Sequence, residues 1–230
     1  MVDRPSETLA EVAQNPRLRW VWPTILNLAS IGLYMGLAAP YLVDAARKAM
    51  LLQISQMPPS QAEVVQAQME RFTSLPFVVG SGTISAVLGL FVAWVLAAAI
   101  LYFGCLIAGE DLTFNTVMAL VPWTWMPFAL RGMVQAAWTA MRRELIQTPG
   151  LSALVSSGNP MADARNPMFA VLSQVDLFAL WHLILIYAAL RAATRMRTNK
   201  AAWLVGVYAV LSVLARLIPV MIGRAFGAGA

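Results

Sequence analysis

PFVVGSGTISAVLGLFVAWVLAAAILYFGCLIA, residues 76–108, decides the fold. The run holds 33 residues and contains no Asp, Glu, Lys, Arg or His. A hydrocarbon core about 30 Å thick needs about 20 predominantly apolar residues in a helix. At about 1.5 Å per residue this run reaches nearly 50 Å, so the helix must tilt or protrude. Gly80, Gly82 and Gly89 place the protruding or bending part in its first third.

Outward from this run, four further segments have the length and apolarity of spans: Trp20–Val43, Phe114–Ala140, Leu177–Ala193 and Ala201–Ile222. Trp20, Trp22 and Tyr41 lie at the ends of the first, where amphipathic rings favour the membrane interface. Pro122 and Pro127 lie inside the third. Each removes a backbone donor and crowds the preceding turn, which predicts a kinked helix. The expected fold is therefore all-α, a polytopic membrane bundle of about five helices.

Composition agrees. Of 230 residues, 60% are hydrophobic and 12% charged, about half the charge of a soluble domain. The net charge of +5 is dispersed in ones and twos beside the spans, without a basic stripe or interleaved aromatics, which argues against nucleic acid and for anionic lipid headgroups. One cysteine, Cys105, lies in an apolar run, so neither an intramolecular disulfide nor a cysteine metal site is expected. Met1–Arg19 is polar, and the long apolar stretch after it reads as a retained span, not a cleaved signal. Residues 1–19 are thus expected as a cytoplasmic segment before a single membrane domain, 20–230.

The connections differ in character. Gly109–Thr113 and Thr194–Lys200 are short, which pairs spans two and three, and four and five, as helical hairpins. The long connections carry two extramembrane amphipathic segments. Ser60-Gln61-Ala62-Glu63 has the spacing of a capping box before a helix over 61–72, and span one is expected to extend as helix through Asp44–Ile54. Asn159-Pro160 and Asn166-Pro167 each suit an N-cap followed by proline at the first helical position. Met168–Val175 reads as a segment on the membrane surface.

Orientation follows from Lys and Arg. Arg4, Arg17, Arg19, Arg191, Arg195, Arg197 and Lys200 share one side, and Arg47, Lys48, Arg71, Arg142, Arg143, Arg165 and Arg224 the other. The first group is packed into fewer residues beside span ends, where the bias acts, so the N-terminus is expected in the cytoplasm and the C-terminus outside.

Ionisable groups in spans are costly and mark where to look for function. Counted from the cytoplasmic side, Arg131 lies about 25 Å into span three and Arg216 about 22 Å into span five. Asp176 begins span four at similar depth. Pairing of Asp176 with Arg131 or Arg216 is one reading; snorkelling arginines and an N-capping aspartate are the others. Glu110 and Asp111 in one short loop face Arg195, Arg197 and Lys200 in the other, which suggests that the two hairpins meet there. His182 is the one histidine, and it reads as a satisfied core or interface residue before a proton relay. Serine-elbow, Gly-rich phosphate-loop and cysteine-nucleophile patterns are absent from the sequence, so no cofactor, metal or catalytic site is assigned.

Three stretches carry a family resemblance. Asn115-Thr116 leads into Ala119-Leu120-Val121-Pro122, Asp176-Leu177-Phe178-Ala179-Leu180-Trp181 opens span four, and Ala188–Ala202 with Asn199-Lys200-Ala201 leads from span four into span five. In their order and spacing these resemble a small-residue run ending in proline, an Asp-x-Phe-x-x-Trp start and a lysine–alanine exit of the YIP (Ypt/Rab-interacting protein) family, in its bacterial branch. The resemblance implies five spans, a cytoplasmic N-terminus and no catalysis. It also implies a membrane-protein partner, for some bacterial members an ABC-type exporter. Eukaryotic members bind small GTPases and carry an Asp-Leu-Tyr-Gly-Pro signature before or at span one that this sequence lacks, so GTPase binding is not carried over.

The expected function is that of a non-catalytic protein of the plasma or inner membrane, acting in assembly, trafficking or as an exporter's accessory subunit. A small transporter or channel subunit is the alternative, and it would need a hydrated path along His182, Thr124 and Asn27. An intramembrane enzyme using Glu110 and Asp111 comes last.

Overall fold

The computed structural model describes residues 5–17 and 19–227, with side chains apart from those at 5, 60, 161 and 222–227. Arg4 and the side chains of Ser60 and Arg224 therefore lie outside the described residues. The helices, in chain order, are α1 Pro5–Gln14, α2 Val21–Ile54, α3 Pro59–Phe72, α4 Leu75–Ile107, α5 Phe114–Thr124, α6 Met126–Arg142, α7 Pro160–Ala164, α8 Pro167–Leu172, α9 Leu177–Ala193 and α10 Thr198–Gly227. No strand occurs among the described residues. The protein is an all-α polytopic membrane bundle.

Among the described residues four helices are long and apolar enough to cross a membrane: Val21–Ile54, Leu75–Ile107, Phe114–Arg142 taken across its interruption, and Thr198–Met221. The remaining apolar helix, α9, has 17 residues, or about 25 Å, a few ångström short of a typical hydrocarbon core. The 34 residues of α2 reach about 51 Å, because the helix continues through Pro40 and Asp44 to Ile54.

The capping box expected at Ser60–Glu63 rests on the Ser60 side chain, outside the described residues, but the start of the helix differs from that expectation. Helix α3 starts at Pro59, with Pro58 as its N-cap and no side-chain cap bond. Proline at the first helical position forgoes an amide that has no partner anyway, so the helix starts two residues before Gln61 and the Ser60 backbone falls inside it. At α8 the expected cap does form: Asn166 Oδ1 accepts the Met168 amide at 3.0 Å, with Pro167 at the first position.

The chain divides into two compact units. One comprises the residues up to Asn27, Val92–Phe128 and those from Gln147 on. Its core is built from Trp94, Ala97, Ala98, Leu101 and Cys105 of α4, Leu120 and Val121 of α5, Leu185 and Ile186 of α9, and Leu204 and Tyr208 of α10. Trp94 meets Trp125 edge to face, with ring centroids 6.4 Å apart. Helix α4 ends in a Schellman turn: Gly109 at φ +81° lets the Gly109 amide reach Leu106 O and the Glu110 amide reach Cys105 O, both at 3.0 Å.

The other unit comprises Leu28–Phe91 and Ala129–Ile146. Most of its buried positions are small, among them Ser30, Ala38 and Ala39 on α2 and Ala129, Ala136 and Thr139 on α6. Small residues let helix backbones approach closely where lipid leaves no hydrophobic drive to associate. Ser30 Oγ donates to Ala129 O at 2.7 Å, and Gly132 lies directly under that hydroxyl. Phe72 and Phe77 stack edge to face at 5.1 Å across the turn from α3 to α4.

Candidate functional site

The third span is interrupted at Trp125 (φ −89°, ψ −1°), between the two prolines. Pro127 has no amide to give the preceding turn. The next amide, of Phe128, turns to Trp125 O at 2.9 Å and so leaves the Thr124 carbonyl without its helical donor. A buried carbonyl without a donor is costly, most of all in lipid. Helix α9 supplies the donor: His182 Nδ1 stands 2.6 Å from Thr124 O. A carbonyl can only accept, so the proton is on Nδ1. The neutral ring then offers Nε2 as an acceptor to the Tyr208 hydroxyl of α10, 2.9 Å away. Phe128 and Trp125 enclose the ring, at centroid distances of 4.8 and 5.6 Å. His182 thus pins the break in one span to two other helices, and both ring nitrogens are committed.

Asn27 and Thr124, the other residues of the path that a transporter would need, are also turned to backbone. Asn27 Nδ2 donates to Pro23 O at 2.8 Å and Thr124 Oγ1 to Val121 O at 2.8 Å. A small cavity, lined by Leu101, Val117, Val121, Ile186 and Leu190 among others, holds about 10 Å³, room for at most one water.

The two short loops meet. Glu110 Oε2 accepts the Arg195 amide at 3.1 Å, and Lys200 Nζ donates to Ala108 O at 3.2 Å. The contacts are charge to backbone, which fixes the register of the hairpins without relying on an exposed ion pair. The loop after α9 is held further by Thr194 Oγ1 on Leu190 O at 2.7 Å and by Arg191 Nη1 on the Met196 carbonyl. Arg195, Arg197 and Asp111 are exposed.

Asp176 is the N-cap of α9, its Oδ1 accepting the Ala179 amide at 2.8 Å. Arg131 lies half-buried on α6 and Arg216 exposed on α10. Cys105 is buried in the core. Among the described residues no group of three or more His, Cys, Asp and Glu is placed to hold a metal ion.

Three features escape a reading of the sequence. The polar N-terminal segment contains a helix, α1, that docks on α5 and α9. Its Leu9 and Val12 are fully buried against Ala119, Leu120 and Ala189. The chain after it is tied down by Trp123 Nε1 on Arg19 O at 2.9 Å and by the Arg19–Glu11 ion pair at 2.5 Å. The signal was faint: two large apolar residues three apart in a polar stretch. The third feature is Asp163, which organises the turn before α7. Its carboxylate accepts from Ser156 Oγ at 2.6 Å, the Ser157 amide at 2.7 Å and Ser157 Oγ at 2.8 Å. The Ser156 hydroxyl above all, with the Ser157 donors, holds this carboxyl below the usual carboxylate range.

No curated protein and no solved structure matches the chain. The Yip1 domain matches it over residues 1–218, nearly the whole length, and the chain belongs to the Yip1 family.

Proposed function

We propose that this protein is a non-catalytic membrane scaffold that assembles with other membrane proteins, in trafficking or as the accessory subunit of an exporter of the ABC type. The Yip1 family is in general one of non-enzymatic membrane proteins. One observation carries the reading: His182, the buried side chain best suited to chemistry, has both ring nitrogens committed to holding three helices together. Glu110 is likewise turned to the backbone of the opposite loop. Groups so committed stabilise a shape that partners can recognise.

The arrangement we propose has five spans, α9 being the short fourth. The N-terminus and both short loops are cytoplasmic and the C-terminus outside, in the plasma or inner membrane. Asp176, at the head of α9, would pair with Arg216 of α10.

Affinity purification in mild detergent tests the function. The expected result is a co-purifying membrane transporter whose flux falls when this chain is deleted. Flux through vesicles that contain this protein alone would overturn the scaffold reading. Cysteine labelling of loop 194–200 from the outside would overturn the orientation.

A further inference from the structure

We propose that the loop joining α9 to α10 binds the phosphate of an anionic phospholipid from the surrounding bilayer, through the guanidinium groups of Arg195 and Arg197 with Lys200 beside them. The inference rests on the height, rigidity and charge of this loop, and it goes beyond the assembly role.

Height comes from the apolar surface next to it. On the last turns of α4, Phe103, Leu106 and Ile107 are exposed, Ile107 by 88%, and on α10 Trp203 is 75% exposed within a turn of Lys200. Such surface needs hydrocarbon, and an exposed tryptophan marks the boundary with the headgroups. Ala108 follows Ile107 directly and accepts from Lys200 Nζ. The loop therefore emerges at the level of the phosphates.

Rigidity comes from its hydrogen bonds. The Arg195 amide is on Glu110, the Met196 amide on Thr194 Oγ1 at 3.2 Å, and the Met196 carbonyl takes the Arg191 guanidinium. The Met196 side chain is buried. The backbone bearing the two arginines is thus held before any ligand arrives, which lowers the entropy lost on binding.

Charge supplies the chemistry. Arg191 in the last turn of α9, Arg195 and Arg197 in the loop and Lys200 in the first turn of α10 adjoin the loop of Glu110 and Asp111. Glu110 is turned to an amide and Arg191 to a carbonyl. Arg195 and Arg197 are exposed, and among the described residues neither has an acidic partner. A guanidinium matches a phosphate with two parallel hydrogen bonds, and each basic group near an anionic surface adds to the attraction.

The test uses the full chain in nanodiscs of phosphatidylcholine with or without phosphatidylglycerol. The unfolding midpoint is expected to rise by about 4 °C in the anionic lipid. The Arg195→Gln/Arg197→Gln pair should lose that rise while keeping the wild-type midpoint in phosphatidylcholine. Arg47→Gln/Lys48→Gln removes the same charge from exposed positions on α2 and should keep the rise. Equal midpoints in the two lipids, a rise that survives in the loop variant, or a rise lost equally in both variants would each overturn the proposal. Reproduction of the rise by inorganic phosphate in phosphatidylcholine discs would overturn the lipid as its source.

Discussion

His182 Nδ1 lies 2.6 Å from the carbonyl oxygen of Thr124, 58 residues earlier in the chain, and this bond closes the gap that the proline-flanked break opens in the third span. Replacing the histidine by phenylalanine keeps the bulk and removes both hydrogen bonds. The Thr124 carbonyl would then be buried without its partner, at about 1–3 kcal/mol, and the Tyr208 hydroxyl would lose one of its bonds. His182→Phe should lower the unfolding midpoint in detergent by about 5 °C or more. In a double-mutant cycle with Tyr208→Phe, the two changes should couple by about 0.5–3 kcal/mol. Strict additivity would show that the two side chains act separately.

Gly132 sets the approach of α2 to α6. A Cβ built there would fall on Ser30 Oγ, well inside contact distance. Gly132→Ala should therefore destabilise by about 1–3 kcal/mol despite alanine's better helix propensity. Ser30→Ala removes the obstructing hydroxyl, so the double variant should recover part of the loss. The thermal midpoints of the four proteins check this, and a double variant worse than either single change would contradict the packing described.

Two glycines with positive φ should respond differently to alanine. At Gly150 (φ +61°) a Cβ would meet the carbonyl oxygens of Leu172, Val175 and Ser173 at 2.9–3.0 Å. At Gly158 (φ +75°) it would meet open space. Gly158→Ala should cost about 1 kcal/mol, the conformational penalty alone. Gly150→Ala adds a clash with backbone and should cost at least about twice that, read as the difference in denaturation midpoint.

The docking of α1 rests on Leu9 and Val12. A helix of 10 residues is marginal by itself, so burial of these two side chains must hold it. Leu9→Ala removes about 2–5 kcal/mol. In that variant trypsin should cut at Arg17 and Arg19 faster by at least about tenfold, with the spans intact. Unchanged cleavage would show that α1 does not depend on this contact.

The Asp163 carboxyl has its folded pKa below its unfolded value of about 4. In acid the unfolded form therefore binds the proton more readily. The stabilisation is complete above about pH 4 and is lost as pH falls through the depressed value. Exchange of the Ser157 amide should accelerate, relative to its intrinsic rate, as pH falls through that window. Asp163→Asn should show fast exchange at neutral pH and no such transition.

What the sequence determined by itself was local. A run of 33 residues without charge has one home, and the hairpin loops, the two in-span prolines and the cap at Asn166 all follow from residues within a few positions of each other. Asp176 was legible as an N-cap for the same reason, since the amide it accepts is three residues away. The opposed charges of Glu110 and of Arg195 to Lys200 hinted that two loops meet, but only the fold showed carboxylate on amide and ammonium on carbonyl.

Tertiary structure alone decided what His182 holds, because the carbonyl it caps is orphaned by a break in another helix. It alone decided that α1 packs into the bundle, since two apolar residues in a polar stretch make no periodic pattern. The start of α3 lies at Pro59 and not at Gln61 for a local reason, since proline at the first helical position prevailed over a capping spacing. Hydrophobic length specifies that a chain enters a membrane. Which orphaned backbone group meets which side chain depends on how separate helices come together, and no window of sequence contains both.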